Sequence, residues 1–145
     1  MSKSGHWARR RTRKVLMQAL YQWEMTGATL HELLQEYRAA GALKKTDEEF
    51  FQELLRGVLT EVVELDALLA PLLDRKVTDL DRVELALLRL GTYELKHRIE
   101  VPFRVVIDEY VELAKGYGAE DSFKYVNGVL DRLAADLRQL ERAGS

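Results

Sequence analysis

The sequence contains no cysteine among its 145 residues and only two prolines, Pro71 and Pro102. The absence of cysteine excludes disulfides, thiol nucleophiles and cysteine-ligated zinc sites, and it is compatible with a cytosolic protein. No run of roughly eighteen apolar residues is present, so no segment is predicted to span a membrane. No basic segment followed by an apolar one opens the chain, so secretion is not predicted. We expect a cytoplasmic protein.

Patterns of catalytic and metal-binding residues are also missing. The three histidines, His6, His31 and His97, are scattered, and none has a second ligand at metal-binding spacing. The segment Gly116–Gly118 is not a phosphate loop, because no Lys-Ser/Thr follows it and the acids after it would repel phosphate. We therefore expect no cofactor and no metal, and the chain is not predicted to be an enzyme.

Acidic residues are absent from residues 1–14, although the chain as a whole is acidic, with a net charge of −2. The other residues comprise 16 basic and 24 acidic side chains, a charge of −8. A basic N-terminal arm on an acidic body is typical of a protein that contacts a polyanion at one end. The arm contains six cations, Lys3, Arg9, Arg10, Arg11, Arg13 and Lys14.

The rest of the sequence has a helical pattern. Good helix formers dominate, and no segment alternates with the period of a strand, so about six helices and no sheet are predicted. The first helix is predicted over about residues 8–25. One arc of it carries a core stripe of Val15, Leu16, Ala19, Leu20 and Trp23. A second ridge, facing away from that stripe, carries Arg10, Lys14, Met17 and Tyr21.

Capping residues and prolines delimit the other helices. Thr29 is a plausible N-cap of the second helix and Asp47 of the third, which Pro71 should end near Ala70. The fourth, opened by Asp79 or Asp81, is apolar nearly all round, so we expect it to be central or to meet a partner protein. Pro102 fits the first turn of the fifth.

The sixth helix is predicted to begin near residues 120–122, with an apolar stripe from Phe123 to Leu140. The fold class is therefore all-α, a compact helical bundle with an arginine-rich N-terminal segment. We expect a single domain over residues 1–145, with halves at 8–73 and 79–140 on either side of the loop near 74–78.

The arginine cluster of Arg9, Arg10, Arg11 and Arg13 is the first candidate site. Guanidinium groups suit phosphate oxygens and stack on bases. Cations at a helix N-terminus oppose the helix dipole, so stability gives no reason for the cluster. The alternatives are a solvated, disordered tail and a mitochondrial transit peptide. Tyr21, two turns along the ridge from Lys14, offers a ring on which an unpaired base can stack.

The last helix is the second candidate site. Lys124, Asn127 and Asp131 share a polar face, and Tyr125 lies outside the apolar stripe. Spacing alone does not decide whether Tyr125 and Asn127 face a ligand. Gly128, in mid-helix, is interpreted as a site of close helix packing.

Several short motifs occur in a fixed order along residues 9–132. The motifs are Arg9–Arg10–Arg11, Ala19–Leu20–Tyr21–Gln22–Trp23, Leu88–Arg89–Leu90 with Tyr93–Glu94–Leu95, Val101–Pro102, Glu109 with Glu112–Leu113–Ala114–Lys115, Gly118–Ala119–Glu120–Asp121–Ser122, and Lys124–Tyr125–Val126–Asn127–Gly128–Val129–Leu130–Asp131. No single motif is specific, but the ordered set is, and it resembles the NusB family.

The resemblance implies a fold of two three-helix bundles and a role in transcription antitermination. NusB-like proteins pair with NusE, a small-subunit ribosomal protein. The pair binds single-stranded boxA RNA and helps to assemble antitermination complexes on RNA polymerase, notably during ribosomal RNA synthesis.

The resemblance also implies site residues. The RNA surface would comprise Arg9, Arg10, Arg11, Arg13, Lys14, Tyr21, Lys124, Tyr125 and Asn127, with Asp121 beside it. The NusE side would include Glu84, Arg89 and Tyr93. The sequence departs from some relatives at Leu72, where an aromatic can stand, and at Phe123, which replaces a polar residue.

Several alternatives stay open at this stage. The same domain occurs fused to ribosomal RNA cytosine methyltransferases, but no cofactor-binding domain follows here, which favours the free-standing factor. A helical protein–protein adaptor with an incidental basic arm is a second hypothesis, and an rRNA-binding module without sequence-specific readout is a third. The sequence leaves the oligomeric state open between a monomer and a homodimer.

Overall fold

The computed structural model of the protein describes residues 3–144. Over this range the chain forms seven α-helices, two short 3₁₀ turns (Ala70–Leu72 and Val77–Asp79) and no strand, which confirms the all-α prediction. None of these helices combines the length and the apolar character that crossing a bilayer requires. The helices are α1 Lys3–Thr26, α2 Leu30–Ala39, α3 Glu48–Leu69, α4 Arg82–His97, α5 Phe103–Tyr117, α6 Ser122–Leu137 and α7 Gln139–Ala143.

The chain divides into two compact units, one up to Thr60 and one from Glu61 onward. The boundary lies inside α3, where Glu61 has φ −103° and ψ 15° and interrupts the helical geometry. The loop 74–78, at which we predicted the division, lies within the second unit. That the chain acts as a single domain stays a prediction.

The first unit follows the predicted caps. Thr29 Oγ1 accepts from the Glu32 N–H at 3.1 Å, and Glu32 Oε1 accepts from the Thr29 N–H at 2.9 Å, which forms a capping box. Asp47 Oδ1 accepts from the Phe50 N–H at 3.1 Å at the start of α3. The core buries apolar side chains of all three helices: Val15, Leu16, Met17, Ala19, Leu20, Leu33, Leu34, Phe50, Phe51, Leu54, Leu55 and Val58.

The predicted basic arm is helical where it is described, because α1 begins at Lys3. Residues 1 and 2 of that arm, and the side chain of Lys3, lie outside the described part of the chain. The basic side chains from Arg9 onward are therefore fixed in register on a helix, rather than carried on a separate segment.

The second unit is built around α4, in which every residue from Glu84 to Leu95 is buried. The central position predicted from its apolar circumference is confirmed. The buried Arg138 donates hydrogen bonds to the carbonyl oxygens of Glu94 (3.1 Å), Leu95 (2.7 Å) and Arg98 (3.0 Å), so it caps the C-terminus of α4.

The stripe predicted along the sixth helix ends earlier than expected. α6 stops at Leu137, and Arg138 adopts φ −125° and ψ 40° as its side chain turns inward to the α4 carbonyls. Leu140 therefore leaves the stripe and is 92% exposed on α7. The prediction that Leu140 belongs to the core is wrong.

Close packing of a glycine occurs on α4 and not, as predicted, on α6. A Cβ on Gly91 would lie 2.8 Å from both Cδ atoms of the fully buried Leu130, so the Leu130 side chain or the helix would have to shift. A Cβ on Gly128 would meet no atom within 4 Å. The interpretation of Gly128 as a packing glycine is therefore wrong, and Gly91 has that role.

We predict opposite effects of the same substitution at these two glycines. Gly91→Ala should lower the free energy of unfolding by about 1–3 kcal/mol, because the new methyl group overpacks a rigid contact. Gly128→Ala should leave stability unchanged or raise it by up to about 1 kcal/mol, the helix-propensity gain of alanine over glycine. Urea unfolding of the two variants beside the wild type measures both. Equal effects would contradict the packing described for α4 and α6.

Candidate nucleic-acid interface

The period of α1 divides its residues between a buried face and an outer face. At about 100° per residue, seven exposed residues fall within one arc of the helix. We call this set the outer face of α1: Trp7, Arg10, Arg11, Lys14, Gln18, Tyr21 and Met25. It contains three of the predicted RNA-binding cations together with Tyr21, which is 41% exposed.

Arg9 and Arg13 lie on the other face, one helical turn apart. Their guanidinium carbons lie 4.6 and 5.2 Å from the centre of the Phe50 ring, within the range of cation–π contacts. Arg13 is only 2% exposed. The expectation that Arg13 is presented to RNA is therefore wrong, because the helical period turns it toward the core. Met17, predicted on the exposed ridge, is buried for the same reason.

Asp47 and its neighbours hold α1 in this orientation. The Asp47 N–H donates to Thr12 Oγ1 at 2.8 Å, and Arg9 Nε pairs with Asp47 Oδ2 at 3.4 Å. Arg11 Nη1 donates to the carbonyl oxygen of Lys45 at 3.2 Å, where the chain passes through a left-handed conformation (φ 62°). The outer face is therefore set by contacts that α1 makes with residues 45–47, the segment that leads into α3.

Trp7 is a residue of this face that the sequence reasoning missed. Its indole ring lies 5.2 Å from the guanidinium carbon of Arg10, three residues along the helix. The ring of His6 meets it nearly edge-on, with centroids 5.7 Å apart. The i, i+3 spacing of Trp7 and Arg10 was the signal that could have identified the pair.

The second unit places Asp121 and Lys124 together at the start of α6. Asp121 has a left-handed backbone (φ 65°) at the N-cap position, and its carboxylate lies 3.4 Å from Lys124 Nζ. Both side chains are exposed. Lys124 Nζ also lies 5.8 Å from the centre of the Phe123 ring, and Lys115 Nζ lies 5.4 Å from it. Phe123 thus has two ammonium groups near it.

Tyr125 is linked to the loop that precedes α4. Its hydroxyl donates to Asp74 Oδ1 at 3.0 Å and accepts from the Asp74 N–H at 3.2 Å. The Arg75 guanidinium lies 5.0 Å from the ring centre and pairs with Asp74 at 2.7 Å. Hydrogen bonds from Arg75 and then from Tyr125 hold the pKa of Asp74 below its ordinary value. Burial, and after it the Asp74 carboxylate, raises the pKa of Tyr125.

Asn127 lies on the opposite flank of α6 from Tyr125, about 160° around the helix. It borders a cleft of about 210 Å³ between α5 and α6 that also contains both acidic and basic side chains. Tyr125 and Asn127 are therefore not brought to one surface, and Lys124 lies between them. The other residues lining the cleft are Phe103, Arg104, Ile107, Asp108, Asp131 and Arg142.

The three residues expected on the NusE side are buried within the second unit. Glu84 accepts a hydrogen bond from Ser122 Oγ, and Arg89 makes two bonds to Asp66 at 2.8 and 2.9 Å. The Tyr93 ring lies 4.6 Å from the His97 ring. Each of the three residues is at most 7% exposed. Their role in partner binding stays a prediction.

The described residues contain no metal-binding arrangement. Over residues 3–144, no group of three or more His, Asp and Glu side chains is placed to hold a metal ion. The arrangement instead offers exposed cations and aromatic rings on α1, and a mixed charged surface on α6. These are groups that bind and orient an anionic partner.

Comparison with known proteins identifies the group to which these features belong. A model of the NusB family matches residues 10–135. The chain belongs to the NusB family. It is 54% identical to the transcription antitermination protein NusB of Alcanivorax borkumensis, over 92% of this chain and 89% of that one. It is 52% identical to that of Hahella chejuensis, over 94% and 92%.

Solved structures of NusB proteins have the same fold. T. maritima NusB matches with a TM-score of 0.79 and 35% identity, covering 88% of this chain and 90% of that one. A crystal structure of the antitermination factors NusB and NusE in complex with dsRNA matches with a TM-score of 0.79 and 28% identity, covering 87% and 95%. The matched NusB segment begins at Arg10, so it includes most of the outer face of α1 and excludes Trp7.

We predict that two neighbouring arginines of α1 differ in their effect on stability. Arg13→Ala should lower the free energy of unfolding by about 2 kcal/mol, because it removes a buried guanidinium from the Phe50 ring. Arg10→Ala should change it by less than about 0.5 kcal/mol, as expected for a surface position. Urea unfolding followed by circular dichroism checks both variants. A larger loss for Arg10→Ala would contradict the assignment of the two faces.

A second prediction concerns the contact between Tyr125 and Asp74. The carboxyl carbon of Asp74 should titrate in NMR with a midpoint below the ordinary pKa of 3.8. Arg75→Gln should raise the midpoint more than Tyr125→Phe, because the Arg75 hydrogen bond is the larger cause of the depression. The interaction is therefore complete above pH 3.8 and lost as the pH falls through the depressed pKa. An unshifted midpoint in the wild type would show that the contact is absent in solution.

Proposed function

We propose that this protein is a transcription antitermination factor that binds single-stranded boxA RNA together with NusE during ribosomal RNA transcription. The observation that carries the proposal is the outer face of α1, where Arg10, Arg11 and Lys14 lie beside the exposed ring of Tyr21. Membership of the NusB family supports it. The solved complex of a NusB relative with NusE and dsRNA supports RNA and NusE as the partners.

Electrostatics favours a local, oriented contact with RNA. The outer face presents cations on a protein whose net charge is −2. Most of the remaining surface therefore repels the phosphate backbone, and RNA should approach along α1. Each neutralised phosphate of a single strand releases counterions and adds about −0.7 to the slope of log affinity against log salt.

Each side chain of α1 has a distinct proposed part. Arg10, Arg11 and Lys14 would bind phosphate oxygens, and Tyr21 would stack on an unpaired base. Arg9 would position α1 through its contacts with Asp47 and Phe50. Arg13 would do so through its contact with Phe50. Direct contact by Arg13 is not proposed, because its side chain is enclosed.

The second unit carries a separate set of proposed RNA contacts. Lys124 is the exposed cation of α6 among the predicted residues, and Asp121, paired with it, would moderate its attraction for phosphate. Tyr125 and Asn127, on opposite flanks of α6, would bind different parts of a ligand. The Arg75 guanidinium lies over the Tyr125 ring, and guanidinium planes and aromatic rings are both groups on which unpaired bases stack.

The proposed activity is assembly of a complex, and no covalent step is part of it. NusE would be the protein partner, and the RNA polymerase antitermination complex would be the larger assembly. We place this activity in the cytoplasm. A homodimer, if one forms, would compete with or precede that assembly.

The proposal is tested by fluorescence anisotropy of a labelled boxA RNA and a scrambled RNA, with and without NusE, at two salt concentrations. NusE should tighten boxA binding, and the scrambled RNA should be rejected. Arg10→Glu and Tyr21→Ala should each weaken boxA binding at least about fivefold, with the fold intact. Arg56→Glu, at an exposed arginine of α3, is the matched charge-reversal control and should have a smaller effect.

Two other outcomes would contradict the proposal. If both RNAs bind equally and salt abolishes both, the basic face is a non-specific polycation, and the protein is an rRNA-binding module without readout. If RNA does not bind and NusE binds equally well to Arg10→Glu, the protein is a helical adaptor whose basic segment is incidental.

A further inference from the structure

Trp7 has a large apolar side chain that is exposed to solvent. It is 54% exposed, although it lies within α1 and only five residues before the fully buried Thr12. Its position at the centre of the outer face arc directs it away from the core of the first unit. Packing therefore gives no reason for an indole at this position.

The surroundings of Trp7 suit a nucleotide. Arg10 places a guanidinium carbon 5.2 Å from the indole ring, and the His6 ring lies 5.7 Å away at a steep angle of 66°. An aromatic face next to a guanidinium can stack on a base and bind the adjoining phosphate at the same time. The pair is carried on a helix, so its backbone needs no ordering on binding.

Trp7 is also in register with the proposed RNA contacts. Trp7, Lys14 and Tyr21 are spaced by seven residues, so they lie on one face of α1. The two rings are separated by fourteen residues, or about 21 Å along the helix axis. At 3.4 Å per stacked nucleotide this is the length of about six nucleotides. Lys14 lies midway between the rings, with Arg10 and Arg11 nearer to Trp7.

We propose that Trp7 is a second base-stacking site for single-stranded RNA, at the opposite end of the outer face from Tyr21. This inference rests on the proposed RNA-binding function. The family match begins at Arg10, so Trp7 extends the RNA surface of this chain beyond the segment that it shares with the family model. The ligand is an unpaired nucleobase, with its phosphate on Arg10.

The test is anisotropy of a labelled single-stranded boxA RNA with the full chain and NusE, for the wild type, Trp7→Ala and Trp7→Phe. Trp7→Ala should weaken binding at least about fivefold, the lower end of the range for base–aromatic stacking. Trp7→Phe should restore part of the affinity. Ile99→Ala removes another exposed apolar side chain, 72% exposed, and should have no effect.

Two further measurements separate stacking from other roles. Because an indole neutralises no phosphate, Trp7→Ala should leave the salt slope unchanged, whereas Arg10→Ala should reduce it by about 0.7. The same RNA in a fully paired duplex offers no free base, so Trp7→Ala should not weaken its binding. In Trp23→Phe, Trp7 is the only tryptophan left, and single-stranded RNA should quench its fluorescence.

The outcomes distinguish this inference from the proposed function. If Tyr21→Ala weakens RNA binding and Trp7→Ala does not, the inference is overturned and the proposed function stands. If the wild type does not bind the RNA, both fail. If Trp7→Ala preserves RNA affinity but abolishes self-association or NusE binding, Trp7 contacts protein and the inference is overturned.

Discussion

Asp47 joins α1 to α3 in the first unit, because its N–H donates to the buried Thr12 hydroxyl while its carboxylate caps α3 and pairs with Arg9. These contacts fix the rotation of α1 about its axis. Once that rotation is fixed, the helical period assigns each arginine to a face. Arg9 and Arg13 approach Phe50, and Arg10 and Arg11 lie outside. One short basic segment thereby serves both the fold and the candidate interface.

The second unit buries charged residues in its central helix, α4. Glu84, Arg89 and Glu94 of α4 are all buried, and each is paired within the unit, with Ser122, Asp66 and Tyr110 respectively. A buried charge without such a partner would be strongly destabilising. Arg138 completes the arrangement at the C-terminus of α4. Glu84 and Arg89, which are expected on the NusE side, thus have partners within the unit, and exposed candidate groups lie on α6.

Local signals predicted the fold well, and the site only in part. The caps at Thr29 and Asp47 and the helix end near Pro71 depend on neighbouring residues, and the structure confirms them. The helical period alone places Arg13 on the inner face of α1. The prediction missed this placement because it assigned all four arginines to one cluster. The interruption of α3 at Glu61 and the contact of Tyr125 with Asp74, 51 residues away, have no local signal. The packing of Gly91 on Leu130 also has no local signal in the sequence.

The central claim is that the outer face of α1, and not its inner face, binds RNA. It is tested most directly by NMR of the arginine side-chain Nε–H resonances during titration with single-stranded boxA RNA in the presence of NusE. The account predicts that the resonances of Arg10 and Arg11 shift and broaden, while those of Arg9 and Arg13, held at Phe50, stay in place. Shifts confined to Arg9 and Arg13, or equal in all four, would contradict it.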